Sequence, residues 1–111
     1  MNKIEQYVSI VPSENQKNIE KMEFYVFIHF GMNTFLGKEW SNGKASPSKF
    51  NPKKLNTDDW CEVCKMIGAK GIILTAKHHD GFCLWQTNTT EYSIKNSPYK
   101  NGKGDIVKEL Q

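Results

Sequence analysis

The sequence predicts an α/β fold with parallel strands, and three observations carry that prediction. Two short, nearly unbroken apolar runs, FYVFIHFG over residues 24–31 and GIILT over 71–75, have the length and glycine punctuation of buried strands. A stretch with helix-capping residues lies between them. Each run is followed by a long polar loop, so the order strand, loop, helix, strand, loop, helix calls for a right-handed crossover that leaves the strands parallel.

In chain order, residues 1–23 form a lead-in segment and 24–111 the α/β domain itself. The first strand, closed by Gly31, is apolar enough to be buried on both faces. The loop that leaves it, MNTFLGKEWSNGKASPSKFNPKKLN, carries Gly37, Gly43, Pro47 and Pro52, which discourage any regular element. A connection this long is usually functional. Asn56, Thr57, Asp58 and Asp59 then offer cap side chains and carboxylates to the positive end of a helix. Trp60, Val63, Cys64 and Ile67 recur at helical spacing until Gly68 stops it. The second strand opens into a second long loop, residues 77–104, after which Asp105 caps a last helix with Ile106, Val107 and Leu110 on one stripe. So little structure cannot cover both faces of a parallel sheet, and the expectation is the first piece of a larger α/β protein.

Composition excludes several classes. With 38% hydrophobic and 24% charged residues the chain is globular and not disordered. Its net charge of only +3 comes from lysines scattered along the sequence, so no nucleic-acid partner is expected. No stretch approaches the roughly 18 apolar residues of a membrane span. The N-terminus MNKIEQYVSIVPSENQ lacks the apolar core of a signal peptide, and the expectation is a cytoplasmic protein with no membrane partner. Three cysteines fit a reducing compartment. Cys61 and Cys64 have zinc-like spacing, but both fall inside a helix whereas zinc pairs usually occupy turns, so structural thiols and no metal are expected there.

Both polar loops leave the carboxyl ends of their strands, the edge at which barrels and open sheets alike place binding sites. Alternation along the first strand puts Phe27 and His29 on one side, where His29 is either a core histidine satisfied by a carbonyl or part of a pocket. His78 and His79 follow the second strand directly, with Asp80 and a Gly81 that permits a tight turn. In extended backbone the two imidazoles point to opposite sides, unless the turn rotates both inward. Glu39 and Trp40 lie on a glycine-flanked segment able to fold back over the same strand ends. A carboxylate accepts from paired hydroxyls and an indole stacks on a sugar's apolar face, the alternative being plain surface packing. Phe82 and Trp85 are read as packing the second loop.

The motifs FYVFIHFGMNTF, GKEW, FNPKKLNTDDWC, GAKGIILTAKHHDGFCLW and NSPYKNGKGDIVKEL, in that order, together with VPSENQ near the start, closely resemble the amino-terminal catalytic-domain sequence of bacterial α-L-fucosidases, retaining glycoside hydrolases. The resemblance covers nearly all of residues 11–111. It implies the N-terminal portion of a TIM-like (β/α) barrel, cut after about two β/α units, from an enzyme that removes terminal α-linked fucose from fucosylated oligosaccharides or glycoconjugates. It further implies that His29, Glu39, Trp40, His78 and His79 bind fucose hydroxyls, and that Phe27 contacts the sugar's C6 methyl. No metal or organic cofactor is implied.

Retaining hydrolysis needs two carboxyl groups roughly 5 Å apart. The resemblance places the nucleophilic aspartate and the acid/base beyond Gln111, so no catalytic carboxylate is expected in these residues. Two other classes stay open on the sequence alone. One is a metal-dependent barrel hydrolase using His78, His79 and Asp80 or His29, and the other is a non-catalytic sugar-binding remnant.

Overall fold

The computed structural model describes residues 2–111, so Met1, at the start of the expected lead-in, lies outside the described residues. The rest of the lead-in is helical. In α1 (Lys3–Val8) the Asn2 side chain accepts from the Glu5 amide while the Glu5 carboxylate accepts from the Asn2 amide. In α2 (Glu14–Met22) Ser13 and Gln16 repeat this reciprocal arrangement. Such boxes satisfy amide groups that a helix start leaves unpaired. No residue of either helix is buried, and Ile4, Tyr7, Val8 and Ile19 are exposed.

Strands β1 (Tyr25–Ile28) and β2 (Gly71–Leu74) pair in parallel, Tyr25 opposite Gly71 through Ile28 opposite Leu74. Just past the strands, the Thr75 amide and hydroxyl both donate to the Ile28 carbonyl at 3.0 Å. The parallel pairing agrees with the sequence, but burial of the first strand on both faces does not. Tyr25 is 46% and Phe27 61% exposed, because this sheet has two strands and the face they share is largely uncovered.

The first polar loop is also more regular than expected. It begins with helix α3 (Met32–Leu36), which Gly37 ends in the left-handed conformation at φ +62°. Pro47 opens a short 3₁₀ turn, Pro47–Lys49. Read as breakers, these residues instead sit at element ends, where glycine's positive φ and proline's missing amide cost nothing. Helix α4 (Thr57–Met66) starts as predicted, the Asn56 side chain accepting from the amides of Asp58 and Asp59. Its apolar stripe is only half used: Cys64 is buried and Trp60 packs on the core, while Val63 and Ile67 are each 58% exposed. Cys61, Cys64 and Cys83 are free thiols.

The core is built mainly from the segments that follow the strands. Met32, Phe50, Phe82, Leu84, Ile94, Tyr99 and Ile106 form one buried cluster, with Phe30, Trp60 and Leu74 packed on it. Phe50 lies at its centre, its ring 5.0–6.0 Å from those of Phe82, Phe35, Phe30 and Tyr99. Backbone bonds stitch the second loop together: the Leu84 amide donates to the Ala76 carbonyl and the Ile106 amide to that of Leu84. Helix α5 (Ile106–Glu109) is capped by Asp105, which accepts from the Lys108 amide at 2.9 Å and from the Gln86 amide at 3.2 Å. Among the described residues no helix is long and apolar enough to cross a membrane. The radius of gyration, 17.9 Å, exceeds the roughly 13 Å of a compact chain this size, consistent with the lack of burial in α1 and α2.

Candidate functional site

The first loop folds back against the second at one backbone contact. Gly43, at φ +74°, lies so close to Asp80 that an added Cβ would sit 2.6 Å from its carbonyl oxygen. Only glycine suits a position that combines positive φ with such close approach. On the other side of that contact, the Gly81 amide donates to the His78 carbonyl at 3.0 Å. Gly81 itself has φ +85°, and the Asp80 carboxylate accepts from the Phe82 amide at 2.9 Å. This is the tight turn the sequence predicts, and Asp80 is only 8% exposed within it.

The turn rotates both histidines toward the first loop. The Trp40 ring lies 5.6 Å from that of His78 and 4.1 Å from that of His79. His78 also lies 4.6 Å from His29, which in turn meets Phe27 edge-on at 6.0 Å. The six candidate side chains are therefore joined by a chain of ring contacts, except Glu39, which enters through the cleft beside them.

That cleft, about 350 Å³ in volume, opens beyond the carboxyl end of β1 and is lined by His29, Glu39 and His78. Trp40 and His79 stand beside it through their contact with His78. Phe27 does not line it and lies on the open face of the sheet. The lining also includes Asn33, Thr34 and Lys38, which the sequence does not mark, and Asp80, which it marks only as a possible metal ligand. Had Gly37 been recognised as a helix C-terminus, Asn33 and Thr34 would have fallen on a short helix at the strand tip.

Several polar atoms here lack partners. His78 Nδ1, Asn33 Oδ1 and Ser41 Oγ are buried with no hydrogen bond. Buried polar atoms are nearly always paired in a native protein, and of these three His78 and Asn33 belong to residues that line the cleft. Close by, Cys83 is pushed above its ordinary 9.0 by burial, with Lys77 opposing and Asp80 adding. Burial, and then Asp80, likewise raises the Tyr92 phenol above 10.0. Both groups are thus neutral near pH 7, and Cys83 is a poor nucleophile. Among the described residues no three of His, Cys, Asp and Glu converge in a way that could hold a metal ion.

Known proteins share this sequence pattern and this fold. The family model of α-L-fucosidase matches residues 42–111. An α-L-fucosidase 1 of Arabidopsis thaliana is 50% identical over 100 residues, covering 90% of this chain and 20% of that protein. The crystal structure of a glycoside hydrolase 29 family member from a rumen bacterium superposes with a TM-score of 0.82 at 55% identity, over 90% of this chain and 18% of that one. A Ruminococcus gnavus family 29 fucosidase, solved in complex with fucose, superposes with a TM-score of 0.76 at 41% identity, over 91% and 21%. The chain thus spans about a fifth of the length of these relatives. By the family match and by its mixed α/β structure, the chain belongs to the α-L-fucosidase family.

Proposed function

We propose that this chain supplies part of the fucose-binding subsite of a retaining α-L-fucosidase acting on fucosylated oligosaccharides or glycoconjugates. The observation that carries the reading is the convergence of His29, Glu39 and His78 on one cleft, flanked by Trp40 and His79, in a member of this family. At about 350 Å³, the cleft is near the small end of the roughly 300–1,000 Å³ typical of ligand pockets. In this reading residues 1–23 are a lead-in, and β1 and β2 are the first two strands of a (β/α) barrel whose sites lie at the strands' carboxyl ends.

The chemistry suits neutral sugar hydroxyls. An imidazole can both donate and accept, so it reads a hydroxyl without fixing a permanent charge beside an oxocarbenium-like transition state. The buried, unpaired Nδ1 of His78 would gain a partner when a hydroxyl enters. Glu39 accepts from paired hydroxyls and Trp40 offers a stacking face. Phe27 lies outside the cleft lining but is exposed next to His29, and in this reading it meets an apolar part of the sugar such as its methyl group. The nucleophile and the acid/base are assigned to the four fifths of the relatives' length that this chain does not span. The metal-hydrolase alternative finds no ligand set among the described residues.

The test is hydrolysis of an aryl α-L-fucoside by the protein expressed from the complete reading frame, with His29→Ala and His78→Ala alongside. Each variant is expected to lose at least about 100-fold in kcat/KM, since a site built to hydrogen-bond a hydroxyl loses large factors when the pairing is broken. Unchanged kcat/KM in both would overturn the assignment. Fucose binding without any cleavage would favour the sugar-binding remnant.

A further inference from the structure

We infer that Asn33 is a further specificity and positioning residue of this cleft: it pins the segment carrying Glu39 and Trp40, and it presents a carbonyl oxygen to one hydroxyl of the bound sugar. The inference deepens the fucosidase reading and rests on it. Asn33 is the second residue of α3, directly after the buried Met32, so its backbone is fixed by the core, and the residue lines the cleft. Its Nδ2 donates to the Glu39 main-chain carbonyl at 3.0 Å. The Asn33 carbonyl in turn accepts from the amides of Gly37 and Lys38, so the whole turn from α3 to Glu39 closes on this one residue.

The orientation of the amide follows from chemistry. The Glu39 carbonyl can only accept, so the Asn33 atom facing it must be the donor nitrogen, and the oxygen is left on the other side. There Oδ1 is buried and has no hydrogen-bond partner. It shares that state with His78 Nδ1, and both residues line the same cleft. A polyhydroxylated ring in the cleft would supply a donor to the amide oxygen and a partner to His78 Nδ1, and a sugar lacking the relevant hydroxyl would leave the amide oxygen buried and unpaired.

The two roles separate experimentally. In the protein from the complete reading frame, kcat/KM is measured for an aryl α-L-fucoside and its 2-, 3- and 4-deoxy analogues, with Asn33→Ala and Asn33→Asp. Losing the anchor is expected to lower kcat/KM on the parent fucoside by about 100-fold, the scale of an angstrom-level misplacement. For one deoxy analogue Asn33→Ala should cost about 10-fold less than that, because the hydrogen bond it removes is already absent. Asn33→Asp keeps an oxygen of the same shape but loses the donor, so its activity should fall while it still discriminates against that analogue, and it serves as the test if Asn33→Ala fails to fold. Equal losses on the fucoside and all three analogues, or Asn33→Asp losing the discrimination, would overturn the hydroxyl contact. A parent protein that cleaves no fucoside overturns the fucosidase reading and this inference together, whereas equal losses with an active parent overturn the inference alone.

Discussion

The contact between Gly43 and Asp80 gives the sharpest prediction, because it joins the two loops that carry the candidate site. Gly43→Ala meets two separate penalties. Holding an alanine at φ +74° costs about 1–2 kcal/mol for the left-handed backbone. The new Cβ would also lie 2.6 Å from the Asp80 carbonyl oxygen, where ordinary contact begins at 3.4 Å, so the loops must separate by roughly 0.8 Å. Overpacking of this kind costs about 1–3 kcal/mol. Gly68→Ala is the internal control: its φ is +85° but nothing lies within 4 Å of the added Cβ, so it bears the backbone penalty alone. Urea unfolding of both variants, expressed from the complete reading frame, is expected to show Gly43→Ala less stable than Gly68→Ala by about 1–3 kcal/mol. Since the separation falls between Trp40 and His79, kcat/KM should drop about 10- to 100-fold for Gly43→Ala and little for Gly68→Ala. Equal stability and equal activity in the two variants would refute the loop contact.

Two further outcomes follow from the core and from the raised pKa values. Phe50→Ala, which empties a fully buried position ringed by Phe30, Phe35, Phe82 and Tyr99, should cost about 3–5 kcal/mol in equilibrium unfolding. A loss below 1 kcal/mol would contradict its place at the centre. For pH, burial raises Cys83 above 9.0, and raises Tyr92 and Tyr99 above 10.0, while a hydrogen bond to Glu109 lifts Lys100 above 10.5. A folded-state pKa raised above its unfolded value contributes stability that is full below the unfolded value and is lost as pH rises through the folded one. The unfolding midpoint should therefore begin to fall near pH 9 and keep falling through pH 11, with Lys100 contributing least because its side chain is 54% exposed. A midpoint that stays level over that range would refute these shifts.

What could be read from the sequence was what short-range chemistry determines. Asn56 and Asp105 cap their helices through side-chain oxygens that local geometry alone brings to the right amides, and Gly81 makes the turn its freedom allows. The parallel order of the strands followed from the alternation of elements. The reading failed where tertiary context decides. Phe27 and Tyr25 look like buried strand residues, but burial depends on what covers a face, and no pattern within residues 24–31 carries that information. The helix α3 was missed because Gly37 signals a helix end and a loop equally well until the backbone is known. At the site, the histidines and the neighbouring Asp80 stood out by their density, whereas Asn33, on a helix the sequence did not reveal, is distinguished only by the atoms it faces.

The cleft and the core prove to be built from the same segments, and this accounts for a polar site held in place with so little sheet beneath it. Three polar residues of the cleft lie one or two positions from an apolar anchor: His29 precedes Phe30, Asn33 follows Met32, and Asp80 is two residues before Phe82. Met32 and Phe82 are almost fully buried, and Phe30 packs against both Phe50 and Trp60. A loop fixed by packing at such short intervals has few rotations left, so its polar side chains are held ready for a ligand without help from regular structure. Long polar connections after a strand can thus be held in place when apolar residues recur within them, and it is the spacing of Phe30, Met32 and Phe82 relative to His29, Asn33 and Asp80 that preorganises this part of the loop-built cleft.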